Sequence, residues 1–511
     1  MIFIVLALCA LITLYLYGTR NHSYWKKRGV VYENPLPFVG NDLKQILMLR
    51  NITDISADLY FKFPNERVVG SYRGSRPVLI VRDPEIIKRI LVTDFNYFYP
   101  RGLNSHKSVI EPMLRNLFFA DGDIWRLLRQ RLTPAFSSGK LRAMFPLIAE
   151  RAELLQTRVL GHASGGGGVV DARDLMARYT TDFIGACGFG LDTDALQDDN
   201  SEFRNLGKKI FAFDIKRFFL DVLKECFPNL LKNIKLLAGI ERHVIHLLNL
   251  VLRQRNYKPS GRNDFIDLLI KCQEQGTIVD DSIEKFKDDG TPETARLEMD
   301  VELMAAQMFV FFAAGFETSS SATSFTLNEL AHNPRVQARA QEEVDRVLAK
   351  YDNKLTYDAV KEMTYLEWTL KEGMRVFPSL GFLIRECARK YTFKELGFSV
   401  DEGVRIIIPV QALHNDPQYF DEPAEFRPER FGPDSFSEKN KYVYLPFGAG
   451  PRACIGERLG LMQSVAGLAA VLAQCSVSPA PRAPRTPLSH PASGITQNVV
   501  GGVPLVFTTR N

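Results

Sequence analysis

One cysteine lies in a stretch suited to metal chemistry: Pro446 to Gly456 reads PFGAGPRACIG, with Cys454 among Gly, Pro, Phe and Arg. Gly448 and Gly450 allow the backbone a positive φ and a close approach to a large flat object. Arg452 places a permanent charge two residues before the sulfur. Backbone N–H groups and a nearby cation lower a thiol pKa and hold the thiolate, the form that ligates metal. The apolar residues of Glu457 to Leu472 recur at helical spacing, which sets the sulfur just before a helix N-terminus. A lone thiolate makes a poor zinc site, because structural zinc takes four ligands. A tetrapyrrole iron needs one protein ligand on its proximal side, and a thiolate there favours O–O cleavage. A tight turn with an incidental buried cysteine is the plain alternative. A phosphate-cradling loop is another, but G-x-G-x-x-G requires glycine where Ala453 stands.

A second group lies upstream, in the apolar run Glu298 to Leu330, whose centre reads Phe311-Phe312-Ala313-Ala314-Gly315-Phe316-Glu317-Thr318-Ser319. Gly315 costs a helix about 1 kcal/mol relative to alanine. Glu317 and Thr318 are polar groups in a buried run, which is costly unless they have partners. Small residues one turn before a hydroxyl open a groove where a ligand can lie. Thr318 could hydrogen-bond such a ligand, and Glu317 could feed protons inward from solvent. The alternative is a threonine bonded back to its own helix beside an exposed glutamate.

Weaker signals accompany these two. Trp125 and Arg129, within DGDIWRLLRQR, are four residues apart and share a helix face, a pairing of donors suited to a carboxylate. Glu372 and Arg375 stand at i, i+3 and can pair, as on many surface helices. Pro428-Glu429-Arg430-Phe431 follows them, and His414-Asn415-Asp416-Pro417 is a turn signal rather than a metal site.

The elements that must position these residues can be read coarsely. Of 511 residues 46% are apolar and 24% charged, which suits a large globular core. The net charge of +5 is mild and spread out, against nucleic acid as the partner. Seven scattered cysteines without a C-x-x-C pair fit a reducing compartment. Met1 to Tyr17 is nearly all apolar and is followed by Arg20, Lys26, Lys27 and Arg28. That order predicts a signal anchor at residues 1–18 with the body cytosolic. Pro35 and Pro37 make residues 19–40 a basic, proline-containing hinge. Val68 to Val81 predicts a hairpin around Arg73-Gly74-Ser75, and Asp83-Pro84 starts a helix through Leu91. Strand signals lie near the two ends, and Lys285 to Thr294 reads as a loop.

The pattern Phe447-x-x-Gly450-x-Arg452-x-Cys454-x-Gly456 resembles the haem-binding loop of the cytochromes P-450. Ala314-Gly315-x-Glu317-Thr318, Glu372-x-x-Arg375, Pro428-Glu429-Arg430-Phe431 and Trp125-x-x-x-Arg129 match further motifs of that family in the family's order. The spellings around Phe312 to Thr318 and Leu132 to Ser137 look most like insect microsomal members that oxidise xenobiotics.

The resemblance implies a mainly α fold with small β-sheets (α+β), a triangular helical domain around haem, with a catalytic domain at 41–511. It implies haem b with Cys454 as axial iron ligand, and Trp125, Arg129, Arg385, Arg452, Phe447, Gly448 and Arg101 around the cofactor. Thr318 and Glu317 would be catalytic, and Glu372, Arg375 and Arg430 a structural cluster. Leu103, Phe119, Val310, Ala314, Leu380 and Phe382 would line the substrate pocket. The expected activity is an unspecific monooxygenase acting with dioxygen on a hydrophobic small molecule, single-pass in the endoplasmic reticulum membrane. Electrons would come from NADPH through a flavoprotein reductase, with cytochrome b5 as an accessory donor. Arg126, Arg131, Lys140 and Lys441 would form the basic docking face. Alternatives are a haem-thiolate enzyme of endogenous lipid or hormone metabolism, a peroxide-rearranging isomerase, and a non-catalytic haem sensor. The tail after Cys475 is dense in proline and arginine and departs from the family pattern; Val499 to Thr508 is its one strand candidate.

Overall fold

The computed structural model describes residues 2–103, 111–164, 168–191, 193–212, 214–226, 231, 233–262, 264–433, 435 and 441–510. The first helix, α1 (Ile2–Thr19), has a mean hydropathy of 2.3 and leaves its apolar side chains exposed, so by length and composition it could cross a membrane. Beyond it, the segment expected as a hinge is docked on the body. Trp25 is fully buried, its Nε1 donates to Ser71 O at 3.0 Å, and Tyr32 and Gly40 bridge to Gly70 and Arg73.

β1 (Val68–Arg73) and β2 (Arg76–Val81) form the expected antiparallel hairpin, with Arg73 opposite Arg76 and Gly74 at φ 57° in the turn. Asp83 caps the next helix by accepting from Glu85 N and Ile86 N, with Pro84 at its start. That helix ends at Lys88 rather than Leu91, because Arg89–Thr93 widens into a π turn.

Helices dominate the next part: α2 (Gly122–Leu132), α3 (Ser138–Ser164) and, after the short strand β3 (Val169–Asp171), α4 (Ala172–Ile184). The stretch expected as a loop, 285–294, contains the turn of a β-hairpin at 287–291, with strand running into it from either side. β4 (Ile278–Phe286) pairs antiparallel with β5 (Pro292–Leu297), and Ile278, Ile283, Ala295 and Leu297 pack into the core.

α5 (Val301–His332) is the axis of the molecule. It starts at Asp300, whose side chain accepts from Leu303 N at 2.6 Å, and it is buried on nearly all sides. A helix apolar all round must lie inside a core or a membrane; here α4, α6 (Thr364–Val376) and α7 (Glu457–Gln474) surround it. The remaining strands are β6 (Leu383–Glu386), β7 (Tyr391–Phe393), β8 (Phe398–Val400), β9 (Arg405–Ile408), β10 (Cys475–Pro479) and β11 (Pro504–Thr509). One sheet runs β1-β2-β9-β6, with β2 and β9 parallel, and carries β6 to the site. A second runs β10-β11-β3, so the C-terminal strand joins the chain's ends to its middle.

Candidate functional site

A cavity lies between α5, α2, β6 and the Cys454 loop. Gly448 and Gly450 hold φ of 70° and 73°, as their spacing suggests. At Gly450 a side chain is impossible, since a Cβ would come within 1.8 Å of Leu91 O. Cys454 N donates to Phe447 O at 2.8 Å, closing the loop, and Cys454 is exposed on the cavity wall just before α7. The thiol's electrostatics differ from expectation. Burial among protein atoms pushes the Cys454 thiol up, opposed by the Gly456 backbone and by Arg129 and Arg101. The Arg452 guanidinium sits 4.4 Å over the Trp125 ring and donates to Asp121.

Among the described residues, four guanidiniums edge the cavity: Arg101, Arg129, Arg385 and Arg452. Arg129 Nη1 donates to Ala453 O at 2.8 Å, tying α2 to the cysteine loop. Arg101 donates to Phe118 O at 2.7 Å, and Arg452 Nη2 to Ala120 O and Asp121 Oδ1, each at 2.8 Å. Asp121 also accepts from Arg101 N at 2.8 Å and Gly102 N at 3.1 Å. Burial pushes Arg101 down to about 10 and Arg385, next to Arg101, down to about 9, while Arg452 falls well below the usual arginine range. The cluster holds more buried positive charge than Asp121 balances.

Val310, Ala314 and Thr318 form one stripe of α5 along the cavity, as their i+4 spacing requires. Thr318 Oγ1 donates to Ala314 O at 2.7 Å, the back-bonded alternative, and Ser379 Oγ donates to Thr318 O at 2.9 Å. Glu317 departs from both sequence readings. It is 4% exposed, so it meets no solvent, and it does not line the cavity. Its carboxylate is paired with Arg173 of α4, which also donates to Ser320 Oγ at 2.8 Å.

Leu103, Leu380 and Phe382 line the cavity, but Phe119 does not; its neighbour Phe118 takes that place and packs edge-on against it. Away from the cavity, Glu372 and Arg375 are fully buried and joined by two bonds of 2.8 and 2.9 Å. Arg430 Nε reaches Glu372 Oε1 at 3.3 Å, completing the three-residue cluster.

Sequence comparison accounts for this arrangement. The cytochrome P-450 family model matches residues 31–501. The chain is 34% identical over 500 residues to cytochrome P-450 6B6 of Helicoverpa armigera, covering 96% of each. It is 35% identical over 511 residues to cytochrome P-450 6a2 of Drosophila melanogaster, covering 98% of each. It is 34% identical over 509 residues to cytochrome P-450 6k1 of Blattella germanica, covering 99% of this chain and 96% of that one.

The chain belongs to the cytochrome P-450 family.

As a cytochrome P-450 it is a haem-thiolate monooxygenase, and it uses haem b with electrons from NADPH through a reductase. The residues fit that cofactor. Arg385 Nε and Arg452 Nε and Nη1 are buried donors without a partner among the described residues, at the rim of a cavity that also presents one thiol. Buried donors of that kind call for an anion, and haem carries two carboxylates.

Ile495 and His414 are among the residues of this P-450 that the sequence reading did not place. Ile495, from the proline-rich tail, lines the cavity, and Gln497 N fastens that segment to Ser379 O at 2.9 Å. No periodic pattern marks a loop residue as a cavity wall. His414 is buried, accepts from Leu445 N at 2.9 Å through Nε2, and its own carbonyl accepts from Arg375 Nη1 at 2.9 Å. It therefore links the Glu372 cluster to the start of the cysteine loop. Only its chain neighbourhood hinted at this role.

Proposed function

We propose that this protein inserts one atom of dioxygen into hydrophobic small molecules of the xenobiotic, plant-toxin or insecticide class. The supporting observation is the cavity itself, with Cys454 and unpartnered arginine donors on one side and the apolar stripe ending at Thr318 on the other. Bound haem supplies the activation of dioxygen. Cys454 would hold its iron through the sulfur, and Phe447 and Gly448 would carry the loop past the cofactor. Arg101, Arg129, Arg385, Arg452 and Trp125 would receive the haem carboxylates.

The chain's own groups then govern substrate and protons. Leu103, Val310, Ala314, Leu380, Phe382, Phe118 and Ile495 exclude water and hold the apolar substrate. Thr318 Oγ1, having given its hydrogen to Ala314 O, presents lone pairs to whatever donor lies in the cavity. The Glu317–Arg173 ion pair holds α5 against α4 next to Thr318. α1 anchors residues 1–18 in the endoplasmic reticulum membrane with the domain at 41–511 in the cytosol, supported by its exposed apolar surface and the basic residues after it.

The decisive experiment is the carbon monoxide difference spectrum of the dithionite-reduced protein. Wild type is expected to show the strongly red-shifted Soret band of thiolate-ligated haem, and Cys454→Ser to lose it. A band like that of a histidine-ligated protein in wild type would overturn the assignment.

A further inference from the structure

The β4–β5 hairpin lies on α2, the helix whose inner face bears Trp125 and Arg129. Its attachment is specific. Asp123 Oδ1 accepts from Ile283 N and Asp123 Oδ2 from Ser282 Oγ, each at 2.8 Å, and Glu284 Oε2 accepts from Asp123 N at 3.2 Å. Those bonds fix the hairpin at the first turn of the helix. One turn further on, the hairpin meets a cation: Asp280 Oδ2 is 3.5 Å from Arg126 Nε, with both side chains part-exposed. Gln275, in the chain leading into β4, accepts from Arg131 Nη1. Arg126, on the outer face of α2, is thus already engaged by an acidic segment of the same chain, which reads VDDSIEKFKDDG, while Arg131 is held by the neutral Gln275 just before that segment.

We propose that this hairpin is part of the redox-partner docking surface and sets its affinity. Asp280 occupies Arg126, and an acidic reductase surface must displace that carboxylate to pair with the same guanidinium. The proposal rests on the reading that the reductase docks on the basic face of α2. Its chemistry is charge exchange between two carboxylates, one internal and one the partner's, at a single part-exposed arginine.

The test uses the full-length holoenzyme reconstituted with NADPH and the flavoprotein reductase at low ionic strength. The KM for reductase is measured for wild type, Asp280→Asn, Arg126→Ala and the double variant. Asp280→Asn is expected to lower that KM about two- to fivefold, the range set by one exposed ion pair. The difference should vanish at about 0.5 M salt, where screening removes it, and should be absent in the Arg126→Ala background. Peroxide-supported turnover, which bypasses the reductase, should not change in Asp280→Asn. If Arg126→Ala leaves the KM unchanged, the docking reading fails and takes this inference with it. If Arg126→Ala raises the KM but Asp280→Asn leaves it unchanged or raises it, docking stands and the competing role of the hairpin is overturned.

Discussion

Thr318 shows how one hydroxyl can serve structure and chemistry at once. Its hydrogen goes to Ala314 O, so the residue costs the helix little and turns its lone pairs outward. Thr318→Ala is therefore expected to keep the carbon monoxide spectrum and leave Tm unchanged or slightly higher, since alanine is the better helix former by up to about 0.7 kcal/mol. The loss should appear in coupling: more peroxide and less product per NADPH, read by peroxide assay against product yield. Normal coupling would remove Thr318 from proton handling. At this scale the sequence was uneven. Cys454 stood out because its neighbours are residues that only a close backbone approach requires, and Gly450 against Leu91 O shows that approach. Glu317 was misplaced because its partner, Arg173, lies on another helix, and no spacing along the chain reveals it. Phe119 failed for a related reason: of two adjacent phenylalanines in an irregular segment, periodicity cannot say which faces inward.

Between elements, His414 acts as the rivet joining α6 to the cysteine loop. Burial, with Arg375 adding to it, pushes His414 down to about 3 from 6.5. The imidazole is thus neutral in the folded protein, which it must be for Nε2 to accept from Leu445 N. The unfolded chain takes up a proton near 6.5 and the folded one does not, so this contribution is complete above that pH. It is lost as pH falls, by up to about 1.4 kcal/mol per unit. His414→Gln, which keeps an acceptor but cannot titrate, should flatten the decline of urea-unfolding free energy between pH 6.5 and 5 relative to wild type. Parallel pH profiles would refute this role. Long elements were legible: α5 and α7 announce themselves by long stretches rich in apolar and small residues without proline. The β4–β5 hairpin did not, because its inward positions, Ile278, Ile283, Ala295 and Leu297, are sparse among charged residues and broken by a register shift.

For the whole molecule, α1 and the body obey different physics. The body buries its apolar residues in one large core and two smaller clusters, whereas α1 leaves Ile2 to Tyr17 largely exposed. Deleting residues 2–19 should shift the protein from the membrane pellet towards the soluble fraction, while the reduced carbon monoxide spectrum survives. Loss of haem in that deletion would mean that α1 supports the fold. Trp25, docked against Ser71, marks where such a deletion must stop.

The pairing of β11 with β3 sets Val506 opposite Val169, and the tail between β10 and β11 supplies Ile495 to the cavity. Every motif by which the family is recognised has been translated by Gly456, well before that wall exists. A premature stop codon after Cys475 would thus spare all of those motifs and still leave the cavity open on one side. A transcript scored intact by its motifs alone would then encode an enzyme whose substrate chamber lacks the wall that Ile495 provides.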